Sequence, residues 1–303
     1  TAGSVTCLTL ATAAEGDADF VVTSNGVEFP AVSFTYSTSK TPTVDSVSPS
    51  SGTGAQSLTI AGSNFGASPS VSVGPYECVV TASTSDSISC DLAPVAGGDY
   101  GVLVDTTEYG LSNDDVEYAS ELTASSVTPS SGSFGGGSLL VITGTGFDTE
   151  TNPTVTVCDD ECTIVSVTDT EIQCRTPANS GSGTEECTVS ITQASGKSVD
   201  LADQFTYDDA LTPQVLSVSP KRGGTGGGTR ITITGTGFAS SGNKVFIDGS
   251  ECDICADCSE SATEITCLTN SHDGCIEVGV TVEVPDQGYG QTPDDGSADF
   301  YYI

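Results

Sequence analysis

The 303-residue chain contains no methionine, no tryptophan, a single histidine and only seven lysines and arginines. Each scarcity removes a class of function. Set against 41 acids, those seven bases leave a formal net charge of −34. Such a surface cannot displace counterions from phosphate, so nucleic acid is excluded as a partner. No apolar run approaches the ~20 residues that a membrane-crossing helix needs, and the segment is not expected to insert into a bilayer. Helical periodicity is lacking throughout. A leader is missing too, and with Thr1 as the first residue a mature or partial product is expected.

Catalysis finds little material. His272 sits in Asn270-Ser271-His272-Asp273-Gly274, which reads as a solvent-exposed loop. A triad needs a nucleophile, a base and an orienting acid held together, and nothing in the pattern assembles them. Acidic pairs fall near turns rather than in a cleft that a glycosidase would use. The Gly-rich stretches lack the Lys-Ser/Thr of a phosphate loop and lead into strands. The chain is therefore expected to be no enzyme, with no catalytic or cofactor-binding residue.

What is abundant is repetition. Pro49-Ser50-Ser51-Gly52 returns as Pro129-Ser130-Ser131-Gly132 and as Pro220-Lys221-Arg222-Gly223. Each copy is followed by an alternating strand and a glycine-aromatic close: Thr59-Ile60-Ala61-Gly62-Ser63-Asn64-Phe65, Val141-Ile142-Thr143-Gly144-Thr145-Gly146-Phe147 and Ile231-Thr232-Ile233-Thr234-Gly235-Thr236-Gly237-Phe238. A period of two marks half-buried strands. Proline with glycine marks turns. Asn64 replaces a glycine, and asparagine tolerates the left-handed region. Spacing on the scale of a small domain makes this a tandem array.

The Pro-x-x-Gly, Gly-Gly and Ile-Thr-Gly-x-Gly-Phe signature resembles the IPT/TIG domain, an immunoglobulin-like β-sandwich found in plexins, related receptors, large ciliary and cell-surface ectodomains, some bacterial adhesins and enzymes, and certain transcription factors. The resemblance implies an all-β chain of tandem immunoglobulin-like sandwiches forming an extended rod. Short linkers such as 208–213 and ~3.3 Å per strand residue imply roughly 100 Å for three domains. Domains are expected at 42–119, 120–209 and 210–303.

Repeat ends are equally regular. Val116-Glu117-Tyr118, Phe205-Thr206-Tyr207 and Phe300-Tyr301-Tyr302 close the three domains, and Phe34-Thr35-Tyr36 precedes the first of them. Upstream, Val5-Thr6-Cys7 matches Ile88-Ser89-Cys90, Ile172-Gln173-Cys174 and Ile265-Thr266-Cys267. Residues 1–41 thus read as the C-terminal half of a sandwich lacking its first half. Val5, Phe20, Val22, Phe29, Phe34 and Tyr36 would form an apolar face that few strands cannot bury alone. Either an upstream part of a longer polypeptide covers it, or a neighbouring molecule does, as in strand complementation. The second case gives a head-to-tail homopolymer, because a heterologous contact propagates.

Twelve cysteines without a Cys/His zinc pattern imply an oxidising, extracellular setting. The matched spacings pair Cys78 with Cys90 and Cys162 with Cys174, and suggest Cys252 with Cys267. Cys158 and Cys187 remain to join neighbouring strands. Cys7, Cys255, Cys258 and Cys275 stay unassigned, and a cross-chain bond from Cys7 to a cysteine of the third repeat would balance the count. The Cys252–Cys258 cluster is expected to be a disulfide-knotted loop rather than zinc or a redox pair.

No metal is required. Calcium is the candidate cation, at Asp114-Asp115, Asp208-Asp209 and Asp294-Asp295. No usable Asn-x-Ser/Thr site exists, since Asn152-Pro153-Thr154 carries proline. O-linked sugar is expected on the Thr41, Pro42, Thr43 and Ser48, Pro49, Ser50 contexts. The leading expectation is a secreted structural subunit of an extracellular fibre or cell-surface appendage. The alternative is a ligand-binding or adhesive ectodomain fragment of a larger receptor or adhesin, and a spacer beside a secreted carbohydrate-active enzyme is a third.

Overall fold

The computed structural model describes residues 7, 9, 15–112, 115–293 and 295–303. These residues are almost entirely β, and the one helical element among them is a single 3-10 turn, Asp209–Leu211. No helix among them is long and apolar enough to cross a membrane. Two compact units emerge, one of residues up to Ala93 with Asp99–Ala119, the other of Pro94–Gly98 with Ser120–Ile303.

Each repeat follows one local plan. Alternation places Leu58 and Ile60, Leu140 and Ile142, and Ile231 and Ile233 at full burial, with their threonine or valine neighbours turned outward. A bulge in the preceding strand recurs at Val44/Ser46, Ala124/Ser126 and Val215/Ser217. Opposite it lies the first glycine of the Gly-x-Gly/Asn-Phe close. A Cβ on Gly144 would sit 2.1 Å from the Thr123 carbonyl oxygen and 2.6 Å from the Phe147 ring. Only hydrogen fits there, so the glycine is a packing requirement as much as a bend. The position two residues on takes positive φ, at Asn64, Gly146 and Gly237, and turns Phe65, Phe147 and Phe238 into the core. The Ser48-Pro49, Thr128-Pro129 and Ser219-Pro220 bonds are cis.

In the first unit, the strands of residues 43–120 form one continuous path of sheet around the Leu58, Ile60, Val102 and Val104 core. In the second unit, residues 123–208 build a four-stranded sheet facing a five-stranded one, and residues 214–302 a three-stranded sheet facing a six-stranded one. Short strands close both sandwiches by parallel pairing: Ser131–Gly132 against Thr206–Tyr207, and Arg222–Gly223 against Tyr301–Tyr302. Two of the disulfides tie sheet to sheet. Cys162 donates its amide to Val155 of the five-stranded sheet and bonds to Cys174 of the four-stranded one. Cys252 and Cys267 join the corresponding sheets of the last repeat. Burial of all four sulfurs makes each bond part of the core.

The N-terminal segment differs from every other part. Gly16–Phe20 pairs antiparallel with Val32–Tyr36, and Thr23–Ser24 with Val27–Glu28. The register sets Phe20 opposite Val32 and Ala18 opposite Phe34, so these side chains share one face. Phe20, Val27, Phe29, Val32 and Phe34 are all exposed.

Candidate functional site

Four features were nominated by residue type: the apolar face of the N-terminal segment, the cysteines, the acidic pairs and the lone histidine. In the first, Phe34 and Tyr36 meet edge to face at 5.0 Å. Phe20, Phe29 and Phe34 are 36%, 52% and 45% exposed, whereas Val22 and Tyr36 are half-buried. Val5 lies outside the described residues. A hairpin with uncovered rings on one side is a surface that binding would bury.

Disulfides join Cys78–Cys90, Cys158–Cys187, Cys162–Cys174 and Cys252–Cys267. A fifth fills in a pairing that spacing leaves open: Cys255 and Cys258, unassigned or interchain by sequence, bond to each other. The intervening Ala256-Asp257 turn brings them together, with the Cys258 amide donating to the Cys255 carbonyl. The Arg230 guanidinium lies 3.5 Å from both sulfurs. Cys7 and Cys275 are free and exposed.

Among the acidic pairs, Asp114 and Asp294 lie outside the described residues. Asp208 accepts the Ala210 amide as the cap of the 3-10 turn, and Asp209 accepts the Gly183 amide. Asp295 accepts the Ser297 amide, and its bonds with Ser297 hold its carboxyl below the usual range. Asp115 is not brought into any grouping of three ligands. Among the described residues the one such grouping is Cys158, Glu185 and Cys187, whose two sulfurs are already bonded to each other. The Asp208 and Asp295 carboxylates serve local turns.

His272 lies in the expected loop but is half-buried, held by partners from distant turns. Its ring stacks on Tyr302 at 4.7 Å, its Nε2 lies 3.0 Å from the Asp248 carboxylate and its Nδ1 3.2 Å from the Gly274 carbonyl. The bond to Asp248 raises its pKa. It pins the 270–275 loop to the end of the sandwich. Of the glycan candidates, Thr41, Ser48, Pro49 and Ser50 are exposed, and Thr43 is half-buried against Ser63. Pro42 is buried, and a residue without surface has nowhere to carry a sugar.

Sequence reasoning missed the junction inside the second unit. The loop Ser133–Ser138 at one end of the second repeat grips the turn Gln287–Gln291 of the third. The Ser133 hydroxyl donates to the Tyr289 carbonyl, the Tyr289 amide to the Gly136 carbonyl and the Ser138 hydroxyl to the Gln287 carbonyl, at 2.6, 2.7 and 2.6 Å. A Cβ on Gly137 would lie 2.3 Å from the Tyr289 ring. Arg175 bonds both the Gly137 carbonyl and Glu283. Beside the contact a cleft of about 390 Å³ is lined by Phe134, Asn179, Leu216 and Pro293 among others. The Gly135-Gly136-Gly137 run was the signal, read only as a turn.

Comparison with known proteins places these repeats. The IPT/TIG domain family model matches residues 42–119, 122–207 and 213–298. The chain is 34% identical over 296 residues to human Fibrocystin-L, covering 95% of this chain and 7% of that protein. Human Plexin-B3 is 30% identical over 211 residues, 65% of this chain and 11% of that protein. Among solved structures, the Plexin A4 full extracellular region overlays 86% of this chain and 24% of that one, at 19% identity and a TM-score of 0.39. The chain therefore spans a small fraction of the relatives it matches. With three successive modules matched and the sandwich signature repeated in each, this chain belongs to the IPT/TIG family.

Proposed function

We propose that this chain is an extracellular, non-enzymatic binding segment of a larger cell-surface receptor or adhesin. The observation that carries the reading is the tandem family match at residues 42–119, 122–207 and 213–298, joined to an alignment that spans 95% of the chain but 7% of human Fibrocystin-L. Five disulfides suit an oxidising compartment. Sandwiches of this kind present loops on a rigid scaffold, and loops carry recognition. The test is antibody labelling of intact cells that express the full native gene. Label on unpermeabilised cells, removed by brief external protease, is expected. Label seen only after permeabilisation would overturn the proposal.

One observation favours a second reading, the head-to-tail fibre subunit. The rings of Phe20, Phe29 and Phe34 are exposed on a two-stranded sheet, and another copy is the partner that would cover them. Electron microscopy of the purified chain distinguishes the two: regular filaments support the fibre, and dispersed particles at high concentration remove it. In either setting the accessible Thr41, Ser48 and Ser50 are our candidates for O-linked sugar.

A further inference from the structure

The loop that grips Tyr289 in the second repeat has a twin in the third. Ser133–Ser138 corresponds to Gly224–Thr229 by the Pro-x-x-Gly frame. The internal bonds are the same. Gly136 donates to the Ser133 carbonyl and Gly137 to the Thr176 carbonyl, at 3.0 and 2.8 Å. Gly227 donates to the Gly224 carbonyl and Gly228 to the Thr269 carbonyl, at 3.1 and 2.7 Å. Both glycine pairs take positive φ, 73° and 77° in one loop and 79° and 73° in the other. Even the supporting contact is shared: the Asn179 amide donates to the Phe134 carbonyl and the His272 amide to the Thr225 carbonyl.

The two loops differ in what covers them. A Cβ on Gly135 would lie 2.2 Å from the Tyr289 carbonyl, and one on Gly137 would strike the Tyr289 ring. A Cβ on Gly226 or Gly228 would meet nothing within 4 Å. Three bare glycines in a surface loop carry an entropic cost. In the second repeat the approach of Tyr289 requires Gly135 and Gly137, while Gly136 is hemmed in by Pro177 and Ala178, as Gly227 is by Asn270 and Ser271.

We infer that Gly224–Thr229 is a preformed socket for the turn of a further IPT/TIG repeat that follows in the same polypeptide, seated as Gln287–Gln291 is seated on the second repeat. The occupant presents an aromatic residue followed by glycine, as Tyr289-Gly290 does, with its amide directed at the Gly227 carbonyl and its ring over Gly228. A tethered occupant fits better than a free one. One ring and a few backbone hydrogen bonds fall short of the entropy lost when separate molecules join, whereas a linker as short as residues 208–213 removes most of that loss. Ser133 and Arg175 have no counterparts, because Gly224 and Leu268 stand in their places, so the socket relies on backbone contacts. The inference rests on reading the chain as one segment of a longer tandem array.

The test uses the full chain and the same chain extended after Ile303 by a second copy of residues 208–303. Amide exchange by NMR at Gly224–Thr229 is compared in both. The extension is expected to slow exchange of the Gly224 amide at least tenfold, because its counterpart, the Ser133 amide, donates to the Gln287 carbonyl. Gly226→Val in the socket-bearing repeat is expected to abolish that protection, while the melting temperature of the unextended chain stays unchanged because a side chain there meets open space. Unchanged exchange on extension, or protection that survives Gly226→Val, overturns the inference. So does concentration-dependent protection in the unextended chain that Leu111→Ser removes. Leu111 holds the register position of Tyr289 in the first repeat's turn and is exposed, so that result would name a second copy as occupant. Failure of the cell-surface labelling would strike the proposed function while leaving the exchange result intact.

Discussion

Phe34 and Tyr36 pack edge to face with ring centroids 5.0 Å apart and planes at 81°. Phe205 and Tyr207 repeat the pair at 5.1 Å and 86°, and Phe300 and Tyr302 at 5.0 Å and 83°. The geometry is the same in all three, but Phe205 and Phe300 are fully buried while Phe34 is 45% exposed. Local sequence sets the pair, and the rest of the sandwich decides whether it is covered. Phe205→Ala is expected to cost ~3–5 kcal/mol, the range for a core phenylalanine. Phe34→Ala should fall within ~0.5 kcal/mol. Urea unfolding of each variant checks the contrast, and equal costs would mean that the N-terminal face is covered.

The inter-sheet disulfides give a second prediction. Cys252–Cys267 closes a 15-residue separation, for which removing the crosslink costs ~3 kcal/mol. Cys255–Cys258 is half-exposed with a separation of 3. Under graded reductant with alkylation and mass spectrometry, the free Cys7 and Cys275 take label without reductant; among the bridged cysteines Cys255 and Cys258 should be labelled first, and Cys162, Cys174, Cys252 and Cys267 only on unfolding.

At the junction, Gly137→Val puts a Cβ into the Tyr289 ring and a branched side chain at a φ of 77°. We expect the second and third repeats to lose their coupling and calorimetry to resolve two transitions where the parent shows one. Arg175→Ala removes a partly exposed ion pair with Glu283 and should cost no more than ~1 kcal/mol.

The histidine supplies a pH dependence. Asp248 raises the folded-state pKa of His272, so the charged imidazole is favoured by folding. This contribution is fully present below the ordinary imidazole value of ~6.5 and disappears as pH rises through the raised folded value. Stability of the parent relative to His272→Gln should therefore be larger at pH 5.5 than at pH 9. An advantage independent of pH would mean that stacking on Tyr302, rather than charge, holds the loop.

Much of the architecture was legible because it is written in short-range constraints. The alternation at Ile231 and Ile233, the glycine beneath Phe238 and the twelve-residue spacing of Cys162 and Cys174 each depend on neighbours close in sequence or in the adjacent strand. The socket was not legible, since Gly137 and Tyr289 are separated by a whole domain and the need for glycine arises only when the ring arrives. Cys255 and Cys258 were ambiguous because spacing alone permits several partners. The partners of His272 were not legible because Asp248 and Tyr302 reach it from distant turns. The fibre expectation drew on the unburied N-terminal rings, a feature that a receptor segment shares, and the family match favours the receptor.

Parallel pairing of Ser131–Gly132 with Thr206–Tyr207 sets a strand near the start of one repeat beside its last strand. Pulling the repeat from its two ends would slide these strands past each other, so their hydrogen bonds would share the load instead of parting in turn. The Cys162–Cys174 bridge would further withhold the chain between those residues from stretching. Under such a load the module would yield in one step rather than strand by strand.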